Sequence, residues 1–323
     1  MQAIQIARTG GPEQLRLLDL PTPSPGPGEV LLKLDAIGVN FIDVYFRTGL
    51  YPAELPLTPG MEGAGTVEGL GPGVASLRIG DRVAYAMVLG AYAQYAVVPS
   101  DRLVPIPDGV DATSAAAAML QGMTAHYLTR STFPIATGQT ALVHAAAGGV
   151  GLLLVQMATQ LGARVIGTTS TPQKAALATE AGAAHVINYA TDDFETEVGR
   201  ITEGRGVDVV YDSVGAATFD KSLASLRPRG MMVSFGNASG PVPPVSPLTL
   251  SQRGSLFLTR PSLAHYMVGR DELLWRAGDV LGSVASGSLH VRIGGTYALG
   301  EAPSAHRDLE GRASSGKLIL LPS

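Results

Sequence analysis

His144-Ala145-Ala146-Ala147-Gly148-Gly149-Val150-Gly151 is the stretch whose reading decides the fold. An apolar run, Thr140 to His144, leads into it as a strand. Val150 to Leu161 follows with helical texture and is closed by Gly162. That context separates a dinucleotide fingerprint from a chance cluster of glycines. The backbone must turn sharply and come close to a pyrophosphate, so side chains near the turn must be tiny. The helix start then offers N–H groups and a partial positive charge. The first glycine of the usual pattern is replaced by Ala146, while Gly148 or Gly149 and Gly151 remain. Ala147, Gly148, Gly149, Val150 and Gly151 are therefore the expected cofactor-binding residues of the turn. The competing reading, a tight strand-to-helix turn with no ligand, is weakened by the chain that follows.

From about Thr124 to Arg260 strands alternate with helices. Arg164 to Thr168 and His185 to Asn188 read as strands. Between them Thr171 caps a helix, with Pro172 in its first turn and Gly182 beyond its end. Thr191, with Asp192 and Asp193, opens a helix that ends near Gly204. Val207 to Tyr211 is a strand, Ala216 to Leu226 a helix and Gly230 to Phe235 a strand. This alternation implies an α/β fold with a doubly wound parallel sheet.

Ligands of such sheets sit beyond the carboxyl ends of the strands. At the end of the second strand, where an NAD site carries Asp or Glu, the chain reads Gly167-Thr168-Thr169-Ser170-Thr171. Nothing there repels a 2′-phosphate, and Lys174 follows at the start of the next helix, so the reading favours NADPH. Thr168, Ser170 and Lys174 are expected on that side, and Tyr189 at the end of the third strand flanks the adenosine. Ser213 and Gly215 end the fourth strand as cofactor contacts, whereas Asp212 reads as structural. Phe235 and Gly236 end the fifth strand and line the nicotinamide side.

Up to about Thr124 the texture is that of a small barrel or sandwich. Short apolar runs such as Val30 to Ile37 are separated by Pro/Gly-rich stretches such as Pro21 to Gly28. Gly60, Gly63 and Gly65 are spaced like a fingerprint, but no helix pattern follows, so they read as a strand packed closely on another backbone. After Pro261 come two helical patterns, Arg270 to Ser286 and Glu301 to Ser314, with strand-like pieces around His290 to Ile293 and Leu318 to Leu321. These are too small for a domain of their own. They are expected to complete the first segment, which gives a discontinuous domain, 1–124 with 261–323, around a continuous one, 125–260.

The 323 residues, 46% hydrophobic and 15% charged, suffice for two cores. A net charge of −4 with no long basic run gives no nucleic-acid surface. The chain has no cysteine, which removes disulfides, thiol nucleophiles and Cys-ligated zinc together. The start, MQAIQIARTGG, lacks a basic stretch followed by an apolar one, and the most apolar window is broken at the glycine turn. Neither secretion nor membrane insertion is expected, and the cytoplasm is the expected location.

With these residues in hand, the sequence resembles the quinone oxidoreductase (ζ-crystallin-like) branch of the medium-chain dehydrogenase/reductase superfamily. Besides His144 to Gly151, the resemblance rests on GVNFIDVYFRTGLYP (Gly38 to Pro52), VVYDSVG (Val209 to Gly215), SFGNASG (Ser234 to Gly240) and TRPSL (Thr259 to Leu263). It implies a GroES-like β-rich catalytic domain with a Rossmann domain inserted in it, and an active site in the cleft between them. Zinc-dependent relatives place a ligating Cys where this chain has Asn40, and Gly-His-Glu where it has Gly60-Met61-Glu62, so no metal is expected. The six histidines also lack metal-ligand spacing.

The resemblance further implies NADPH-dependent reduction of a small-molecule quinone. Asn40 and Tyr45 would hydrogen-bond a substrate oxygen and Thr124 would contact the nicotinamide side, although Asn40 also fits a turn cap and Tyr45 a packed aromatic. Arg47 fits a salt bridge within its own loop. Arg260 and Lys317 lie in matched segments from which they would reach the phosphates, with a solvated surface position the alternative for Lys317. A homodimer is implied, with Val242 to Leu256 a plausible edge. Enone or enoyl reduction on the same fold, or cofactor binding without turnover, are the rival readings.

Overall fold

The computed structural model describes residues 1–312 and 314–322; Ala313, inside the expected Glu301–Ser314 helix, and Ser323 lie outside the described residues. The chain divides into two compact units, Met1–Met123 with Tyr266–Ser323, and Thr124–His265.

The first unit opens with the pair β1 (Gln2–Gln5) and β2 (Arg16–Asp19). Then come β3 (Glu29–Val39), α1 (Phe41–Thr48), β4 (Glu62–Leu70), β5 (Arg82–Ala86), β6 (Tyr95–Pro99), β7 (Val104–Pro105) and α2 (Ala112–Tyr127), whose last residues, from Thr124, are counted in the second unit. In β3 the alternation of Val30, Leu32 and Leu34 points every second side chain into a core shared with Val67, Val83, Tyr85, Tyr92 and Val98. The reading of Gly65 holds: a Cβ there would stand 2.0 Å from the Lys33 carbonyl oxygen, so the close pairing of β4 with β3 requires glycine.

The second unit follows with β8 (Thr140–Val143), α3 (Gly149–Gln160), β9 (Arg164–Thr169), α4 (Pro172–Glu180), β10 (His185–Asn188), α5 (Phe194–Ile201), β11 (Val207–Asp212), α6 (Phe219–Ala224), β12 (Leu226–Ser234), α7 (Pro247–Gln252) and β13 (Phe257–Thr259). The strands run parallel in the order β10-β9-β8-β11-β12-β13. The chain starts at β8, moves outward to β10, then crosses back to β11, so the switch point lies between β8 and β11. Strands buried on both faces read as apolar runs, as in Val209 to Tyr211.

Several boundaries differ from the sequence reading, among them the start of β12, which is Leu226 and not Gly230. Asp193, not Thr191, caps α5, accepting the Thr196 N–H at 3.2 Å. The helix expected from Ala216 begins only at Phe219, because Asp212 holds the preceding loop in another shape. As read, Thr171 caps α4, with its hydroxyl accepting the Lys174 N–H at 3.2 Å.

The chain returns to the first unit with α8 (Arg270–Ala285), β14 (Ile293–Ala298), α9 (Ala302–Glu310) and β15 (Lys317–Leu321). β15 pairs antiparallel with β3 and parallel with β14, completing the sheet β14-β15-β3-β4-β5-β7, with β6 also on β3. Among the described residues no helix is long and apolar enough to cross a membrane.

Candidate functional site

The turn after β8 is built as a cradle. Ala145 takes φ +50°, the conformation glycine usually supplies, so the strain of the missing first glycine falls there and not on Ala146. Ala146 donates its N–H to the Thr168 carbonyl at 3.0 Å, and Gly148 to the Ala145 carbonyl at 2.8 Å. A Cβ on Gly151 would stand 2.2 Å from the Ala145 carbonyl oxygen, so α3 can start this close to the turn only with glycine there. The N-cap of α3 is Gly148, which has no side chain to cap with. At any helix start the first N–H groups lack carbonyl partners within the helix. Those of Gly149, Val150 and Gly151 thus point out of the turn, on half-buried or buried backbone, as an anion requires.

Beside the cradle, Ser170 and Lys174 are half-buried and Tyr189 is 41% exposed. The Tyr189 N–H donates to the Thr169 carbonyl at 3.0 Å, which brings the ends of β9 and β10 together. Thr168 departs from its expected role. It is buried, and its hydroxyl pairs with His144 Nδ1 at 3.0 Å, so it shapes the turn from inside. Its neighbour Thr169, which the sequence reading passed over, has a buried hydroxyl with no hydrogen-bond partner among the described residues.

Behind His144 a polar network joins the strand ends. His144 Nε2 lies 2.9 Å from the Ser222 hydroxyl, which donates to Asp212. Burial pushes the His144 imidazole down, with Asp212 pulling the other way. Asp212 is structural, as read: one carboxylate oxygen accepts the N–H groups of Val214 (2.7 Å) and Gly215 (3.0 Å), and the other accepts the Thr218 hydroxyl (2.7 Å). It thereby shapes the loop that carries Ser213 and Gly215. The loop after β12 lies against it. A Cβ on Gly236 would meet the Ser213 carbonyl oxygen at 2.4 Å. Ser213 and Phe235 are half-buried, Arg260 is exposed just past β13, and Thr124 is buried in α2.

The first unit holds a second, separate polar cluster. Asn40 stands at the N-cap of α1, but its carboxamide does not cap the helix. The amide nitrogen donates to Glu62 Oε1 at 2.7 Å and to the Gly38 carbonyl at 3.4 Å. The amide oxygen accepts from Lys317 Nζ at 2.7 Å and from Gln121 at 3.4 Å. Lys317 also ion-pairs with Glu62, whose other oxygen accepts the Leu120 N–H at 2.7 Å. Asn40, Glu62 and Lys317 are all buried. Lys317 is therefore neither solvated nor a spare cation for phosphate. Burial lowers its pKa, and Glu62 opposes that shift.

Tyr45 is buried among aromatics, its ring centroid 5.1 Å from Tyr51 and 6.3 Å from Phe41. Arg47 lies on α1 and not in a loop, and makes bidentate bonds to Glu310 of α9 at 2.7 and 2.9 Å. Among the described residues no group of His, Asp and Glu side chains is placed to hold a metal ion.

Residues 149–277 match the zinc-binding dehydrogenase family model, and residues 26–108 the alcohol dehydrogenase GroES-like domain. The chain is 47% identical to the quinone oxidoreductase of Pseudomonas aeruginosa over 321 residues, 99% of each chain. It belongs to the quinone oxidoreductase family. The quinone oxidoreductase of Escherichia coli, solved in complex with NADPH, superposes with a TM-score of 0.98 at 44% identity and full coverage of both chains. A 2-haloacrylate reductase from Burkholderia is 44% identical over 330 residues, covering 100% of this chain and 99% of its own. This quinone oxidoreductase family member thus has the GroES-like and Rossmann parts that the resemblance implied.

Proposed function

We propose that this chain is an NADPH-dependent quinone reductase that works without zinc, in the cytoplasm, as a homodimer. The observation that carries the reading is full-length likeness to quinone oxidoreductases, one of them solved with NADPH, in a chain whose own turn fits a dinucleotide. The backbone of Ala147, Gly148, Gly149, Val150 and Gly151 holds the pyrophosphate. Ser170, Lys174 and Tyr189 take the 2′-phosphate and the adenosine side, and Arg260 adds charge near the phosphates. Ser213, Gly215, Phe235, Gly236 and Thr124 line the nicotinamide side. When bound, the cofactor supplies hydride from its nicotinamide C4.

Tyr45 and Asn40 face the substrate oxygen in this reading. The Asn40 bond to Gly38, at 3.4 Å the longer of its two donated bonds, is the one a substrate oxygen would displace. Lys317 holds the Asn40 amide in place and takes no phosphate. The reduced oxygen draws its proton from water. The chain's lack of cysteine, with Asn40 and Met61 where zinc-dependent relatives carry ligands, supports zinc independence. The edge strand β13 supports pairing with a second copy: Phe257 on it is 57% exposed, and Leu248 on the preceding helix α7 is 62% exposed.

The likeness to a 2-haloacrylate reductase favours one other substrate class, an activated alkene. Turnover of NADPH with 1,4-benzoquinone, 9,10-phenanthrenequinone and 2-chloroacrylate separates the two. Faster oxidation with quinones is expected, and turnover of the acrylate alone would move the chain to the alkene reductases. Lys174→Ala is expected to raise KM for NADPH about 5- to 10-fold, the scale of one charge-assisted phosphate bond. The KM for NADH should stay unchanged in that variant. Steady-state kinetics with both cofactors checks this.

A further inference from the structure

We propose that Tyr92 and His306 are positioning residues for the reaction. A one-way chain of hydrogen bonds, from Arg47 through His306 and Tyr92 to Asp43, fixes the start of α1 and with it Asn40 and Tyr45. The inference rests on the quinone-reductase reading for its kinetic test. Its geometry stands within the first unit alone.

The direction of the chain follows from donor chemistry. A guanidinium only donates. Arg47 lies 3.1 Å from His306 Nδ1, so that nitrogen must accept. A neutral imidazole then carries its proton on Nε2, which lies 3.0 Å from the Tyr92 hydroxyl. Tyr92 accepts there, and its own proton goes to Asp43 Oδ2 at 3.0 Å. The same carboxylate oxygen accepts the backbone N–H of Asn40 at 2.9 Å. At the far end Arg47 is anchored by Glu310 and by the Gly10 carbonyl at 3.1 Å. Every link points towards one carboxylate, and that carboxylate grips the residue at the start of α1.

Asp43, Arg47, Tyr92 and His306 are all buried, so water does not substitute for a lost link. Asp43 Oδ1 has no partner among the described residues, so the carboxylate depends on the two donors at Oδ2. Burial pushes the Asp43 carboxyl up to about 7. The Asn40 N–H, the Tyr92 hydroxyl and the Lys317 ammonium act to lower it, while Glu62 adds to the rise. Burial, with Arg47 beside it, pushes the His306 imidazole down to about 3, so it stays neutral at working pH. The Asn40 backbone is thus held by Asp43 and its carboxamide by Glu62 and Lys317. Tyr45 follows on the next turn of the same helix.

Tyr92→Phe removes one donor to Asp43 and keeps the ring. Activity needs the ionised carboxylate, so it falls as pH drops through the Asp43 value. Losing a donor to the charged form moves that value up. The expected result is about a tenfold loss of kcat with a quinone, the scale of one buried hydrogen bond. KM for NADPH should stay within about twofold, and the acid limb of the pH–kcat profile should move upward. His306→Leu should do the same. Nitrogen-15 NMR of the histidines gives a readout independent of turnover, with His306 neutral and protonated on Nε2 across pH 5 to 9.

A folded Tyr92→Phe enzyme with wild-type kcat and pH profile overturns the proposal. So does an Nδ1-protonated or charged His306, and that result counts even if the variants fail to fold. A wild type that turns over no acceptor sinks the quinone reading and this proposal with it. A wild type active on quinone and matched by Tyr92→Phe sinks the proposal alone.

Discussion

Lys317→Met is expected to destabilise the protein by about 3–5 kcal/mol, the usual cost of removing one partner from a buried ion pair. Lys317 and Glu62 lie in the interior, and the ammonium is the cation that faces the carboxylate. Without it Glu62 keeps, among the described residues, the neutral donors Asn40 Nδ2 and Leu120 N–H. Those bonds are too few to replace the hydration of a buried charge. Adding Glu62→Gln should recover most of the loss, because a neutral amide still accepts from Leu120 and leaves no uncompensated charge. Urea denaturation of both single variants and the double variant forms the cycle. Additive losses would show that the pair is not the unit described here. The same variant should lower quinone turnover, since the Asn40 amide loses the contact that orients its oxygen.

Gly151→Ala is expected to weaken NADPH binding about 10- to 100-fold. The new Cβ would stand 2.2 Å from the Ala145 carbonyl oxygen and 2.9 Å from the backbone of Ala146. Neither atom is free to move. Ala145 already holds a positive φ and accepts the Gly148 N–H, and Ala146 is tied to Thr168. Forcing a methyl into such a place costs about 1–3 kcal/mol, and about 1.4 kcal/mol is a factor of ten in affinity. The clash lies inside the turn, so the loss should appear in nucleotide affinity before it appears in the fold. Fluorescence titration with NADPH, alongside thermal unfolding, separates the two. Unchanged affinity would remove the turn from the cofactor site.

The turn was legible because its signal is local. Small residues, a strand before and a helix after occupy one continuous stretch from Thr140 to Leu161. The absence of a carboxylate between Gly167 and Thr171, and the structural part of Asp212, were readable for the same reason. What stayed hidden depends on residues far apart in the chain. Lys317 meets Glu62 across 255 positions, and Arg47 meets Glu310 across 263. No spacing rule links such pairs, so Lys317 read as a surface or phosphate residue and Arg47 as a loop residue. Thr168 and Thr169 alternate along β9, so one hydroxyl meets His144 and the other does not. Period-two alternation carries that information, but which face holds the polar partner is set by the helices packed on the sheet. His306 showed nothing in the sequence beyond an isolated histidine.

The proposed cofactor site selects NADPH and passes its reducing equivalents to a quinone. The most direct test follows absorbance at 340 nm with the purified chain, 1,4-benzoquinone and either NADPH or NADH. Quinone-dependent oxidation of NADPH is expected at a kcat/KM at least about fivefold above that for NADH, the scale of the proposed contact between Lys174 and the 2′-phosphate. Equal rates with the two cofactors, or no quinone-dependent oxidation of either, would contradict it.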